Sequence, residues 1–210
     1  MSIELTFTAA GRRTAIRTAF VVLALVLAAP VPSASANSNP AQARKLIENL
    51  TQQALTILKT EKGNIDARER KFRTVLSEYF AMRSISRRVA GKHWQEMSPQ
   101  QRAEFQRLFS EWVLKTYSRR FGGYQGESID VQKASAVGHD AVLVQTKVTG
   151  EKRNNKVDWR LAEEDPGHLK IVDVSVDGVS MLVAQKSEVS SIVKNKGVDG
   201  LLATLRKHTQ

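Results

Sequence analysis

A change in the spacing of apolar residues near Gly126 limits what this 210-residue chain can fold into. Before that point, apolar residues recur every three or four positions, as they do along one face of a helix. After it, they alternate with polar residues, as in a strand with one buried face. Helical spacing returns beyond Asp177-Gly178. Helices, then a run of strands, then helices is the pattern of an α+β fold, so the sequence predicts a sheet covered by helices.

The alternating stretch divides into four predicted strands. Asn154-Asn155 and Asp165-Pro166-Gly167 supply turns between the last three of them. The sequence therefore predicts an antiparallel, curved, four-stranded meander with one apolar face. The residues that mark the strands are Ile129 and Val131; Val142, Val144 and Val148; Val157, Trp159 and Leu161; and Val172, Val174 and Val176.

Several amphipathic helices are predicted around this sheet. One begins at Pro40, a second near Asp66, and a short third runs from about Met82 to Ala90. The fourth has the clearest start, because residues 98–101 (Ser-Pro-Gln-Gln) offer an N-cap serine, a proline at the first helical position and a glutamine that can complete a capping box. Its apolar face carries five aromatic residues and is predicted to face the core. Two more helices follow the strands, with Gly197 between them.

The N-terminal segment has the features of a secretory signal peptide. Arg12, Arg13 and Arg17 precede an apolar run over residues 19–29, and residues 34–36 read Ala-Ser-Ala, which suits signal peptidase. The run is shorter than the roughly 20 residues that span a bilayer, which argues against the alternative of a membrane anchor. The sequence predicts a cleaved signal peptide over residues 1–36, a single domain over residues 37–210, and a periplasmic location.

Charge and cysteine content narrow the classes of function. A net charge of +11 favours anionic partners, which for an exported protein are lipid headgroups or acidic protein surfaces, and nucleic acid is not expected. The chain has no cysteine, which excludes thiol nucleophiles, zinc–thiolate sites and disulfides.

Residues with catalytic chemistry show no organised pattern. The four histidines, His93, His139, His168 and His208, are isolated in sequence, and none has the i, i+4 partner of a helical metal site. Asp177 precedes a glycine and is interpreted as a turn residue. We therefore expect no catalytic residues, no metal, no cofactor and no enzymatic activity.

Basic residues crowd one helical region. Arg83, Arg87, Arg88 and Lys92 lie within ten positions of the chain. Two interpretations remain open at this point: a solvated helical surface, or a surface that docks onto an anionic membrane or acidic partner or holds a headgroup phosphate.

Several motifs, taken in order, resemble the MlaC family of periplasmic lipid-binding proteins, also called toluene-tolerance proteins. Residues 79–91 (YFAMRSISRRVAG) are followed by His93-Trp94, by residues 98–102 (SPQQR) and by Tyr117 within Lys-Thr-Tyr. Residues 173–180 (DVSVDGVS) are similar to the family's D-V-x-V-x-G-V-S motif. Residues 197–202 (GVDGLL) match its closing motif.

The resemblance implies a sheet wrapped by helices, related to the nuclear-transport-factor-2-like fold, with an apolar lipid cavity between sheet and helices. It implies a phospholipid cargo carried between an outer-membrane lipoprotein–porin complex and an inner-membrane ABC transporter. The chain departs from the family at Ala81, at Gln185-Lys186 and at Val189. A glutamine followed by a basic residue is more similar to the hopanoid-associated branch, HpnM, so a hopanoid cargo is the alternative.

The candidate cavity lining combines the apolar strand face with facing helix residues. Each of these side chains could instead be plain core, and two rival classes remain: an exported protein-interaction adaptor, and an enzyme of the same broad fold. The candidates are Phe72, Leu76, Phe80, Leu108, Trp112, Tyr117, Val142, Val144, Val148, Val157, Trp159, Leu161, Val172 and Val174.

Overall fold

A computed structural model describes residues 39–61, 63–120, 126–151 and 154–210, with the backbone alone for residues 118–120. The predicted signal peptide at residues 1–36 lies outside the described residues. The described elements are α1 (Pro40–Thr60), α2 (Ile65–Tyr79), α3 (Met82–Ala90), α4 (His93–Glu96), α5 (Pro99–Arg120), β1 (Ser128–Val137), β2 (Ala141–Thr149), β3 (Asn154–Asp165), β4 (His168–Val176), β5 (Val179–Ser180) and α6 (Met181–Thr209).

The predicted α+β class is confirmed, with one more strand than expected. The strands form a single antiparallel sheet in the order β1-β2-β3-β4-β5. The two-residue β5 pairs Val179 with Val176 and Ser180 with Ser175, in a stretch where sequence spacing predicted the chain to have returned to helix. Register shifts in β1, β3 and β4 mark β-bulges, which increase local twist and curve a sheet.

Local signals at the helix ends are confirmed at atomic detail. The Gln101 amide donates to Ser98 Oγ (3.2 Å), and the Ser98 amide donates to Gln101 Oε1 (2.9 Å), which is the reciprocal capping box that starts α5. Gly197, at φ 69° and ψ 180°, interrupts the helical backbone inside α6 where the sequence predicted a break. The four-residue α4 was not predicted from sequence.

The edge strand β1 is partly covered by α1. At the β1 bulge, Arg44 donates through Nη2 to the Val131 carbonyl (2.8 Å) and through Nη1 to the Gln132 carbonyl (3.4 Å). Charged side chains and bulges at an edge strand disfavour its pairing with another chain. A groove of about 520 Å³ runs beside this contact, between α1 and the first half of β1.

Apolar side chains form two main clusters on different parts of the fold. The sheet–helix cluster lies between α1, α2 and one face of the sheet, and Leu114 of α5 also belongs to it. The helical cluster lies among α3, α5 and α6. Buried members of the first include Ile47, Leu50, Phe72, Val75, Val142, Val144, Leu161 and Ile171, and those of the second include Val89, Phe105, Leu108, Phe109, Val189, Leu201 and Leu202.

Candidate functional site

The inner face of the sheet, which packs against α1 and α2, is mainly apolar, with Thr146 as a buried polar residue, and it is not buried along its whole length. Val142, Leu161 and Ile171 are paired neighbours across three strands, and each is fully buried. Further along the same strands, Val148 and Val157 are only half-buried. We call the end of the sheet at which these residues lie the open end. An apolar surface that continues past its own cover is suited to a ligand with a long apolar part.

The structure brings most of the predicted lining residues together. The sheet–helix cluster contains or directly packs against Phe72, Leu76, Phe80, Val142, Val144, Trp159, Leu161 and Val174. Two others, Val148 and Val157, continue the same face at the open end. Leu108 and Trp112 instead belong to the helical cluster, away from the sheet. Because these two residues pack between helices, we interpret them as core residues and leave them out of the proposed lining.

Val172 lies on the opposite face of the sheet from the one that the alternating pattern predicted. The register places Leu161 opposite Ile171 and Arg160 opposite Asp173, so Val172 is the extra residue of a β-bulge. Its side chain packs with Ala81 and Ala162 instead of with the inner face. A bulge inserts one residue and thereby inverts the alternation on one side of it, which simple spacing cannot anticipate.

Tyr117 lies beside the first turn of α6. Its hydroxyl is 3.6 Å from Met181 Sδ, and Met181 directly follows the short strand β5. Val179 and Val183, on either side of Met181, are 57% and 62% exposed, which is unusual for valine. This second apolar surface adjoins the end of β4.

Polar atoms within the sheet–helix cluster are paired. Trp159 Nε1 donates to Thr146 Oγ1 (3.0 Å), whose own hydroxyl donates to the Val157 carbonyl (3.0 Å). Gln53 Nε2 donates to the Tyr79 hydroxyl (2.7 Å), and burial raises the pKa of the Tyr79 phenol above its ordinary value. These bonds fix Trp159 and Tyr79 without placing a free charge among the apolar side chains.

One histidine that looks isolated in sequence has partners in space. His93 is buried, its Nδ1 lies 2.7 Å from Glu96 Oε2, and its Nε2 lies 3.4 Å from Ser190 Oγ. Ser190 lies inside α6, where the helix already uses the backbone amides that could otherwise stabilise an oxyanion. The contact therefore joins α4 to α6.

The predicted docking residues lie along α3 and just beyond its C-terminus. Arg83, Arg87, Arg88 and Lys92 are all exposed, and none of them forms an ion pair with another residue in the described part of the chain. Lys186 of α6 joins them, since a Cβ on Gly91 would lie 2.9 Å from Lys186 Cε. Sequence spacing missed Lys186 because it comes from a helix far along the chain.

The motif at residues 173–180 builds the joint between β4 and α6. Asp173 Oδ1 accepts from the Leu182 amide (3.0 Å), and Asp173 Oδ2 accepts from the Ser180 hydroxyl (2.6 Å). Ser180 Oγ in turn accepts from the Val183 amide (3.1 Å), as an N-cap. The motif thus satisfies the first amides of α6 and has a structural explanation.

Asp177 is confirmed as a turn residue, and its charge should make stability depend on pH. Hydrogen bonds from Asn155 Nδ2 (2.6 Å) and the Lys156 amide (2.8 Å) hold its pKa below the ordinary 3.8. A lowered pKa adds stability above pH 3.8 that is lost as pH falls through the folded-state value. Asparagine tolerates the left-handed backbone at this position (φ 48°). Asp177→Asn therefore removes the charge and one of the two acceptor oxygens without straining the turn.

We expect Asp177→Asn to lower the free energy of unfolding at pH 7, and the deficit to shrink as pH falls below about 4. Urea titrations of the wild-type protein and of Asp177→Asn at pH 7, 4.5 and 3 measure this difference in the free energy of unfolding. A deficit that is the same at pH 3 as at pH 7 would contradict the assigned role of the carboxylate.

Among the described residues, no group of three or more histidine, aspartate or glutamate side chains is arranged to hold a metal ion. No helix within that part of the chain combines the length and the apolar character needed to cross a membrane.

Comparisons with known proteins point to one family. The family model described as MlaC protein matches residues 48–207. The intermembrane phospholipid transport system binding protein MlaC of Haemophilus influenzae is 23% identical over 141 residues. That match covers 64% of this chain and 65% of the relative, just under two thirds of its length. A phospholipid-binding protein from Ralstonia solanacearum, solved with a phospholipid, shares the fold with a TM-score of 0.67 and 18% identity, over 80% of this chain and 96% of that one.

Proposed function

The chain belongs to the MlaC family, and from that premise we propose that it is a non-catalytic periplasmic carrier of a membrane lipid. The cargo we propose is a phospholipid, moved between the inner and outer membranes. The relative from Haemophilus influenzae is named as part of an intermembrane phospholipid transport system, and the solved relative from Ralstonia solanacearum holds a phospholipid. Both names support this proposal.

The observation that carries the proposal is the inner face of the sheet, which is mainly apolar and which the described helices leave half-buried at the open end. Each methylene of an acyl chain costs about 0.8 kcal/mol to expose to water, so a carrier between membranes needs a dry surface of this kind. We propose that the acyl chains of the lipid lie against Val144, Trp159 and Val174, and that they enter past Val148 and Val157. Transfer then follows the relative lipid affinities of donor, carrier and acceptor, and needs no chemical step.

Mass spectrometry of lipid extracted from the purified protein tests the proposal. We expect lipid at close to one molecule per chain, and transfer of labelled phospholipid between donor and acceptor vesicles. A hopanoid in the extract would change the proposed identity of the cargo and leave the proposed carrier function unchanged. Protein that is repeatedly free of lipid and transfers none would leave the adaptor as the better explanation.

The cationic surface formed by Arg83, Arg87, Arg88, Lys92 and Lys186 is proposed to dock the carrier. All five side chains are exposed and carry like charge, which raises the rate of encounter with an anionic membrane or an acidic partner. The partners we propose are an inner-membrane ABC transporter complex and an outer-membrane lipoprotein–porin complex. The surface lies on α3 and α6, outside the sheet–helix cluster, so docking and loading should be separable.

We expect Arg87→Glu with Arg88→Glu to slow lipid delivery to anionic acceptor vesicles several-fold while lipid loading stays unchanged, because only the encounter is affected. The rate of transfer and the amount of co-purified lipid measure the two effects. Lys45→Glu with Lys207→Glu makes the same change in net charge at two exposed lysines elsewhere. Equal slowing in both double variants would show a net-charge effect and reject this docking surface.

A further inference from the structure

Arg68 is a buried arginine whose hydrogen bonds are incomplete. It is 5% exposed, and its Nη2 donates to the Glu61 carbonyl at the end of α1 (3.1 Å). Its Nε is buried and has no hydrogen-bond partner in the described part of the chain. Buried polar groups, and charged ones above all, are normally paired, so an unpaired Nε indicates a missing acceptor.

The backbone places Arg68 at the end of the α1–α2 pair that lies away from the fully buried residues of the sheet. α1 and α2 run antiparallel, with Gln53 bonded to Tyr79 near one end of the pair and Glu61 bonded to Arg68 at the other. The end with Tyr79 lies next to the fully buried residues Val142, Leu161 and Ile171 of the sheet, because Phe80, the residue after α2, forms a β-bridge with Ile171. Arg68 comes 12 positions before Phe80, roughly 18 Å along a helix, and therefore lies well away from those residues.

The groove beside β1 extends along α1 from Arg44 to Lys59 and so connects this end of the helix pair to the first residues of β1. Lys59, two positions before Glu61, lines the groove beside β1 together with Ile129 and Asp130. Ile129 pairs with Val148, which belongs to the half-buried part of the inner face. Arg68 also shares the buried side of α2 with Phe72 and Val75, both members of the sheet–helix cluster. A cation and an apolar surface therefore meet at this end.

Nearby carboxylates are mostly engaged by other cations. Lys71 is bonded to Glu61, and that hydrogen bond holds the pKa of the Glu61 carboxyl below its ordinary value. Arg73 lies 3.8 Å from Glu69 one turn along α2. Asp66, the remaining acid of this segment, is exposed in the first turn of α2. These pairs leave the charge of Arg68 available to an anion from outside the chain.

We propose that Arg68 binds the phosphate of the cargo's headgroup at the open end, while the acyl chains continue along the inner face. The proposal rests on the proposed carrier function and deepens it, because it makes the cargo an anionic, phosphate-bearing lipid. A phosphate oxygen would accept from Nε in a charge-assisted bond, and arginine suits phosphate better than lysine does. Ile65, 55% exposed and one turn before Arg68, would contact the bilayer or the glycerol region.

The test compares binding of dioleoylphosphatidylglycerol with that of dioleoylglycerol, which has the same chains and no phosphate. Three full-length variants are compared with the wild-type chain. Arg68→Gln keeps an amide donor for the Glu61 carbonyl and removes the charge, Arg68→Lys keeps the charge, and Arg70→Gln is the matched control at an exposed arginine two positions away.

We expect Arg68→Gln to weaken phosphatidylglycerol binding about tenfold and to leave dioleoylglycerol binding unchanged, with partial recovery in Arg68→Lys and no effect of Arg70→Gln. Equal weakening toward both lipids, or no weakening toward either, would overturn the role of Arg68 while the carrier function stands. Inorganic phosphate that stabilises the wild-type chain without any preference between the lipids would assign Arg68 to free phosphate and also overturn the proposal. Wild-type protein that binds neither lipid would instead reject the carrier function itself.

Discussion

Replacing Val157 with aspartate should lower phospholipid uptake at least about tenfold, because a carboxylate would then lie on the path proposed for the acyl chains. Val157 is half-buried on the inner face, beside Trp159 along the strand and opposite Thr146 and Val176 across it. In the lipid-free protein the carboxylate can stay hydrated, whereas a bound chain would remove that water. Desolvating an unpaired charge costs several kcal/mol, and each 1.4 kcal/mol is about a tenfold loss of affinity.

Val137→Asp is the matched control for this prediction. Val137 is also a half-buried strand valine, but it pairs with Ala141 and so lies on the opposite face of the sheet. Urea unfolding of the lipid-free variants should give similar losses of stability, and only Val157→Asp should lose lipid uptake. If both variants load lipid like the wild-type chain, the inner face is not the site at its open end.

Replacing Phe105 with alanine should lower the free energy of unfolding by about 3–5 kcal/mol, the usual cost of deleting a fully buried aromatic ring. Phe105 is 0% exposed, its ring stacks on Phe109 with centroids 5.6 Å apart, and it belongs to the helical cluster. The whole stability of a domain is typically about 5–15 kcal/mol, so this single change should bring the protein close to unfolding.

Phe105→Ala also tests whether the sheet–helix cluster and the helical cluster have different roles. Because the helical cluster lies outside the proposed lipid site, the folded fraction of Phe105→Ala should keep the wild-type preference among lipids. Ile65→Ala, at a side chain that is 55% exposed, should change the free energy of unfolding by no more than about 0.5 kcal/mol. If Phe105→Ala loses less than about 1 kcal/mol of stability, or changes its lipid preference, the assignment of a purely structural role to the helical cluster is contradicted.

Local signals in the sequence predicted the outline of this fold well. The capping box at Ser98 and Gln101, the break at Gly197 and the period-2 spacing of β2 and β3 each depend on residues within a few positions of one another. Such short-range geometry is determined by the chemistry of neighbouring residues, so it can be predicted from the sequence alone. The antiparallel order of the strands followed because the turns between them are short.

Features that depend on residues far apart in the chain were the ones that sequence reasoning missed. The bulge that turns Val172 to the other face depends on pairing between β3 and β4, and the addition of Lys186 to the cationic surface depends on the packing of α3 on α6. In the sequence, Arg68 is one of four basic residues between positions 68 and 73. Only its burial and its unpaired Nε single it out, and neither property has a local sequence signature.

In the proposed complex, the acyl chains of the lipid lie on the inner face of the sheet and not among the helices. The chain's three tryptophans allow this to be measured directly, because Trp159 packs against the sheet–helix cluster while Trp94 and Trp112 pack against the helical cluster. One variant (Trp94→Phe with Trp112→Phe) retains only Trp159, and another (Trp94→Phe with Trp159→Phe) retains only Trp112. Each is loaded with phospholipid whose acyl chains carry bromine, a contact quencher of tryptophan fluorescence. We expect strong quenching of Trp159 and little quenching of Trp112, whereas quenching of Trp112 alone would place the acyl chains in the helical cluster and contradict the proposed site.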